Sequence, residues 1–174
     1  MKNSLPKSSE NLISIERLKE VFYYDHNLGW LIWLIKPNRN IAINSRAGSL
    51  KSDGRRYVRI DNVEYLEHIL IWFYMTGRWP KNLIDHKDLN KSNNKWENLR
   101  EANYSQNGFN CNPRSTNKLG YKGIKFFKGK YRVRIMINGK EIHIGSFNTL
   151  EEAVEARNSK GIELAGEFYK IQKI

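Results

Sequence analysis

The stretch Ile84-Asp85-His86-Lys87-Asp88-Leu89-Asn90-Lys91-Ser92-Asn93-Asn94-Lys95-Trp96-Glu97-Asn98-Leu99-Arg100, running on to Tyr104-Ser105-Gln106-Asn107, decides the reading of this chain. An isolated Asp-His pair in an Asn- and Lys-rich loop is ordinarily a solvated surface feature. Here the pair heads a long pattern, I-D-H-x-x-x-N-x-x-N-N-x-x-E-N-L-R, in which two acids, one imidazole and several amides hold fixed places. Consecutive strand residues face opposite sides, so Asp85 and His86 can serve one site only if the strand ends or twists there.

On the N-terminal side, Ser14 can cap a helix in which Ile15, Leu18, Val21 and Phe22 recur at helical spacing, ending near Tyr24. Asp25 to Gly29 reads as a turn and Trp30 to Ile35 as a strand apolar on both sides. Ser52-Asp53-Gly54 and Asp61-Asn62 bracket a short meander strand on which Arg55, Tyr57 and Arg59 share one face. Glu67 to Thr76 is helical and strongly apolar, stopped by Gly77.

On the C-terminal side, residues 108–119 are rich in breakers and small polar groups and read as a linker. Three strands follow, Tyr121 to Phe127, Lys130 to Ile137 and Glu141 to Ser146, with a hairpin signal at Asn138-Gly139. A helix from Leu150 to Leu164 offers Ala153, Val154, Ala156 and Ile162 to the sheet. Alternation turns Tyr131, Val133, Ile135 and Ile137 to one face and leaves Arg132, Arg134 and Met136 outward, where Lys122, Lys125 and His143 extend the row.

The formal charge is +12: residues 1–117 hold 18 basic and 12 acidic side chains, residues 118–174 hold 12 and 6, so each part is +6. A polyanion, nucleic acid above all, is the simplest partner for such a surface. The single cysteine, Cys111, excludes an internal disulfide and a cysteine-rich structural zinc site. A polar N-terminus and the lack of an 18-residue apolar run point to the cytoplasm, with no membrane partner and no obligatory protein partner.

The 84–107 pattern resembles the HNH endonuclease family. The resemblance implies that Asp85 and Asn107 hold a divalent cation, that His86 is the general base, and that Asn98 fixes the loop and the orientation of the histidine. Asn107 stands where the family's third signature residue is usually histidine, which implies weak intrinsic metal affinity. Oxygen donors suit Mg²⁺, or Mn²⁺, which keeps several waters and completes its shell with phosphate oxygens. An imidazole with an ordinary pKa of about 6.5 is largely neutral at pH 7 and free to take a proton. His68 falls at a place that implies either a structural hydrogen bond or a phosphate contact, Asp88 reads as a turn residue, and Leu89 stands where many relatives carry glycine.

Residues 120–168 resemble the plant ethylene-response-factor (apetala-type) DNA-binding domain at Tyr121, Gly123, Gly145, Phe147 and Glu151-Glu152-Ala153. There a three-stranded sheet reads the major groove, which implies DNA contacts from Lys122, Lys125, Arg132, Arg134 and His143, with Arg55 and Arg59 as further candidates. Asn158, Ser159 and Gly161 replace helix alanines and imply looser packing. The fold expected is α+β: a small ββα-metal nuclease domain followed by a three-stranded antiparallel sheet packed on one helix. The expected boundaries are a flexible tail at 1–13, the nuclease at 14–107, the linker at 108–119 and the DNA-binding domain at 120–174. The activity implied is sequence-recognising cleavage of double-stranded DNA by a homing-type phage or mobile-element nuclease. A catalytically silent, repressor-like DNA-binding protein is the alternative.

Overall fold

Ser14 accepts a hydrogen bond from the Arg17 backbone N–H and starts α1 (Ile15–Val21), which turns Leu18 and Val21 into the core. The structure, a computed structural model, describes residues 12–174. Of the expected tail, 1–11 lie outside the described residues. Ile13 belongs to the core instead, buried and donating its N–H to the Tyr65 hydroxyl at 3.1 Å. The helix also ends three residues before Tyr24. Phe22 and Tyr24 alternate inward as part of β1 (Phe22–Asp25), which pairs antiparallel with β2 (Trp30–Trp33). β2 itself alternates, Leu31 and Trp33 inward, rather than burying both faces.

The turn between them is held by the Asp25 carboxylate, which accepts from the N–H groups of Asn27 and Leu28. Gly29 closes it at φ 70°, and a Cβ there would lie 2.5 Å from the Lys95 nitrogen. Glycine is thus required both by the backbone angle and by the approach of a distant loop. Residues 44–47 then run beside β2, with the Ala47 N–H on the Leu31 carbonyl at 2.7 Å.

The expected meander is β3 (Ser49–Leu50), β4 (Arg56–Ile60) and β5 (Val63–Leu66), antiparallel in that order. Val58 and Ile60 point inward. α2 (Glu67–Thr76) buries residues 67 to 73 and ends at Gly77 in the left-handed conformation, as the sequence implies. A helix apolar nearly all round has to sit inside its unit, and each fully buried side chain such as Leu70 or Ile71 contributes about 1.5–3 kcal/mol. β6 (Leu83–His86) and β7 (Leu99–Ala102) form a two-stranded sheet, joined by a loop that ends in a 3-10 turn over Trp96–Asn98.

The chain divides into two units, Met1–Glu101 and Ala102–Ile174. The division falls ahead of the 108–119 segment read as linker. α3 (Tyr104–Phe109), capped by Asn103 and Gln106, ends in Phe109, which is buried with Ile135 and Tyr169. The breakers around it mask this apolar anchor in the sequence.

In the second unit β8 (Ile124–Phe127), β9 (Lys130–Ile137) and β10 (Lys140–Phe147) form an antiparallel sheet of order β10-β9-β8. Both hairpins, Lys128-Gly129 and Asn138-Gly139, have positive φ at both central residues, the turn that matches strand twist. α4 (Leu150–Ala165), started by a Thr149–Glu152 capping box, packs Ala153 and Val154 on Ile124 and Val133. Ile162 is half-exposed, not part of that stripe. Arg157 and Gly161 continue it, the Arg157 guanidinium lying 5.2 Å from the Tyr169 ring centroid.

Gly161 corrects the expectation of loose packing, since a Cβ there would stand 2.1 Å from the Tyr169 ring. Alanine is favoured over glycine in a helix by about 1 kcal/mol, but overpacking costs about 1–3 kcal/mol. Gly161→Ala should therefore lower the stability of the second unit. Urea unfolding should show a lower midpoint for the variant, whereas a raised midpoint would mean that Tyr169 moves aside freely.

Candidate active site

The first turn of α2 places two polar side chains where the rest of the helix is apolar. Glu67 is fully buried, and its Oε2 accepts from Arg46 Nη2 at 3.1 Å and from Asn94 Nδ2 at 2.7 Å. Oε1 accepts the Leu31 backbone N–H at 3.3 Å, and Arg56 Nε stands 3.9 Å from Oε2. Burial pushes the Glu67 carboxyl above its ordinary range, and Arg46 and these hydrogen bonds only partly offset that. His68, next along, is equally buried, and neither ring nitrogen has a partner among the described residues. This overturns both roles left open for it, a hydrogen bond and a phosphate contact. Burial, reinforced by His86 and Arg55, holds its pKa well below the usual histidine value.

The loop after β6 is clamped by Asn98. Its Nδ2 donates to Asp88 Oδ1 at 2.9 Å and to the Asn93 carbonyl at 2.8 Å, while its Oδ1 accepts the Asp88 N–H at 3.0 Å. The Lys87 N–H donates to the Asn98 carbonyl at 2.9 Å, joining the two ends of the loop. Asp88 also accepts from Asn93 Nδ2 and the Asn90 N–H, so it closes a turn. Burial works to raise the Asp88 pKa, but those donors and His86 outweigh it and leave it lowered. Leu89 takes φ 65°, a left-handed position for which glycine is better suited. The loop keeps that geometry all the same, the Leu89 N–H reaching the His86 carbonyl at 3.0 Å.

β6 ends where the sequence requires it to, at His86. Asp85 and His86 are both buried yet engage different partners. Asp85 Oδ2 receives Nε and Nη2 of Arg100, each at 3.0 Å, from β7. His86 Nε2 lies 2.8 Å from Asn94 Oδ1, and its ring meets that of His68 edge-on with centroids 5.0 Å apart. Burial lowers the His86 pKa. The Asn94 bond, Asp88 and Asp85 oppose the shift, and Arg55 adds to it. With its pKa below the ordinary histidine value, the ring is mainly neutral at pH 7.

Asn98 fixes the loop, but its amide is occupied by Asp88 and Asn93, and the hydrogen bond at His86 Nε2 comes from Asn94. Sequence reasoning missed Asn94, Glu67, Arg46 and Arg100. The Asn93-Asn94 doublet and a Glu-His pair opening an apolar helix are the signals that could have found the first two. Asn107 lies half-buried on α3, in the second unit, its N–H on the Asn103 carbonyl. Among the described residues no group of three or more His, Cys, Asp or Glu side chains could hold a metal ion.

Of the basic candidates, Arg55 does not lie on an exposed strand face. It precedes β4, pairs with Asp53 at 3.4 Å and has a buried Nε without a partner. Arg59 is exposed. Lys122 is drawn away from the sheet's outer row, its ammonium donating to the Gly108 carbonyl and to Cys111 Sγ. The row is otherwise as the alternation requires: Lys125, Arg132 and Ser146 are cross-strand neighbours, as are Arg134 and His143, and all five are exposed. Arg132 lies over the Phe127 ring at 4.3 Å, and Arg134 pairs with Glu141 at 2.9 Å.

A family profile described as HNH endonuclease matches residues 65–109. Protein 3.8 of Escherichia phage T7 is 31% identical over 108 residues, which span 60% of this chain and 88% of that protein. No solved structure matches the chain. No helix among the described residues is long and apolar enough to cross a membrane.

The buried histidines set a pH dependence of stability. Between the folded and unfolded pKa values of His68 the unfolded chain binds the extra proton, so stability falls as pH drops below about 6.5, by up to about 1.4 kcal/mol per pH unit for each such group. The raised Glu67 carboxyl acts with the opposite sign above its ordinary value. His68→Phe should flatten the fall in urea midpoint between about pH 7 and about pH 5.5. An unchanged slope would show that His68 is not buried neutral.

Proposed function

Since this chain belongs to the family of Protein 3.8 of Escherichia phage T7 and carries an HNH endonuclease domain at residues 65–109, we propose that it is a metal-dependent endonuclease that cleaves double-stranded DNA with His86 as general base. The observation that carries the reading is a buried, neutral, hydrogen-bonded imidazole at the end of β6, next in sequence to a buried carboxylate, in a loop clamped by Asn98. A surface histidine in an Asn-rich loop would have none of these features.

The donors suit a hard cation. Asp85 would supply the anionic oxygen, and so small a protein contribution fits Mg²⁺ or Mn²⁺, which take most of their oxygens from water and phosphate. A cation bound there would stabilise the charge that gathers on the phosphorane and the leaving oxygen. His86 takes a proton from water as the water oxygen bonds phosphorus. The bond to the 3′ oxygen breaks, and that oxygen takes a proton from solvent. Arg100 holds the Asp85 carboxylate in place and balances its charge.

The second unit is assigned as the sequence reader, of the ethylene-response-factor type. The outward row of Lys125, Arg132, Arg134 and His143 on the three-stranded sheet supports this. Arginine forks grip guanine O6 and N7, and the exposed Arg134–Glu141 pair is weak enough to exchange for DNA. Homing-type target choice rests on the same face, without Lys122 and with Arg59 as an accessory contact.

His86→Ala should lower turnover by about 10²–10⁴ while duplex binding stays within a few-fold, and EDTA should stop wild-type cleavage. Near wild-type turnover by folded His86→Ala protein would remove His86 from the chemistry. Replacing Arg132 and Arg134 together by alanine should cost about 1–3 kcal/mol per lost base contact on the target duplex and less on a scrambled one. Equal losses on both duplexes, with the salt slope reduced, would make the sheet an electrostatic clamp.

A further inference from the structure

The side chains of Glu67, Asn94 and His86 form a continuous chain from a buried carboxylate to the imidazole. Glu67 receives Arg46 Nη2, Asn94 Nδ2 and the Leu31 N–H. Arginine and backbone N–H can only donate and a carboxylate can only accept, so the direction of these bonds is settled. With Glu67 ionised in its ion pair with Arg46, this settles Asn94 as well, because turning its amide over would set Oδ1 against an acceptor-only carboxylate oxygen 2.7 Å away. Asn94 therefore presents Oδ1 to His86 Nε2 at 2.8 Å, and that nitrogen must carry the proton. In a neutral imidazole the unprotonated nitrogen is then Nδ1.

We propose that Glu67 and Asn94 are positioning residues that lock His86 in the Nε2–H tautomer and reserve Nδ1 for the attacking water; this rests on His86 being the base. The amide between carboxylate and ring matters. A carboxylate directly on Nε2 would favour the imidazolium and leave less free base, whereas an amide passes on orientation without placing a full charge beside the ring. The relay is itself held in place. The Tyr24 hydroxyl donates to the Asn94 carbonyl at 3.2 Å and accepts the Trp96 N–H at 2.9 Å, and Gly29 lets the β1–β2 turn lie against Asn94 and Lys95. His68, packed edge-on to His86, closes one side of the ring with an uncharged group.

The test is the tautomer of His86 in the full-length protein labelled with ¹⁵N-histidine, read near pH 7.5 by multiple-bond ¹H–¹⁵N correlation without DNA or metal, with His86→Gln for assignment. The wild type should show Nε2 protonated and Nδ1 bare. Asn94→Ala should mix the tautomers and lower kcat roughly 10–100-fold, the usual cost of losing such an outer partner, with duplex affinity unchanged. Glu67→Gln frees the Asn94 amide to turn over and should mix them too. Combining Glu67→Gln with Asn94→Asp moves the carboxylate one place along the chain and reverses the 67–94 bond, so that position 94 accepts from both neighbours, and it should restore the Nε2–H tautomer and part of kcat. A wild-type His86 protonated on Nδ1 overturns the proposal even if every variant misfolds, as does an Asn94→Ala protein with tautomer and kcat unchanged. A wild type that has the expected tautomer but cuts no DNA upholds the lock and sinks the nuclease reading instead.

Discussion

The first unit is organised around a buried charge. Removing a carboxylate from water costs several kcal/mol even after the surroundings relax, and Glu67 has no exposed surface through which to recover hydration. Its partners come from everywhere except its own helix: Leu31 from β2, Arg46 from the strand-like segment beside it, Arg56 from β4 and Asn94 from the loop after β6. Arg46 is braced in turn by stacking on Trp30 at 4.3 Å. The pKa of Glu67 is nonetheless raised, so these contacts do not fully repay the desolvation. The network fixes geometry more than it adds stability. Removing one partner would strand the charge, which typically costs about 3–5 kcal/mol.

This explains what the segment before residue 65 does. It lies outside the matched profile, yet it supplies the tyrosine, the glycine and the backbone donor that hold the Asn94 loop and Glu67 in place. The histidine is thereby set by non-local contacts, while the loop around it is set by local ones, the Asp88–Asn93–Asn98 bonds. A site of this kind keeps its side chains in position before substrate arrives, which is where much of the benefit of a preorganised site lies.

What the sequence made legible follows that division. The hairpins at Asn138-Gly139, the stop at Gly77, the Ser14 cap and the alternation of β9 are governed by neighbours in sequence, and they stand as read. A role for Asn98 in fixing the loop was available only through the resemblance to the HNH family, which also gave it the orientation of His86, where the structure has Asn94. Asn94 and Glu67 were not legible, because their meaning depends on a partner 27 residues away. The same blindness misplaced basic residues: nothing near Lys122 in sequence shows that Gly108 and Cys111 capture it, and nothing near Arg55 shows that its guanidinium is partly buried. Gly161 reads as a poor helix residue until Tyr169 is seen against it.

In the reaction proposed for this chain, water attacks the phosphorus of a DNA phosphodiester directly and the 3′ oxygen leaves. Single-turnover cleavage of duplex DNA with Mg²⁺ in ¹⁸O-labelled water, followed by mass analysis of the ends, tests it most directly. One ¹⁸O in each new 5′-phosphate, opposite an unlabelled 3′-hydroxyl, is the predicted result. Label in a 3′-phosphate, or unlabelled ends formed through a covalent protein–DNA adduct, would contradict it.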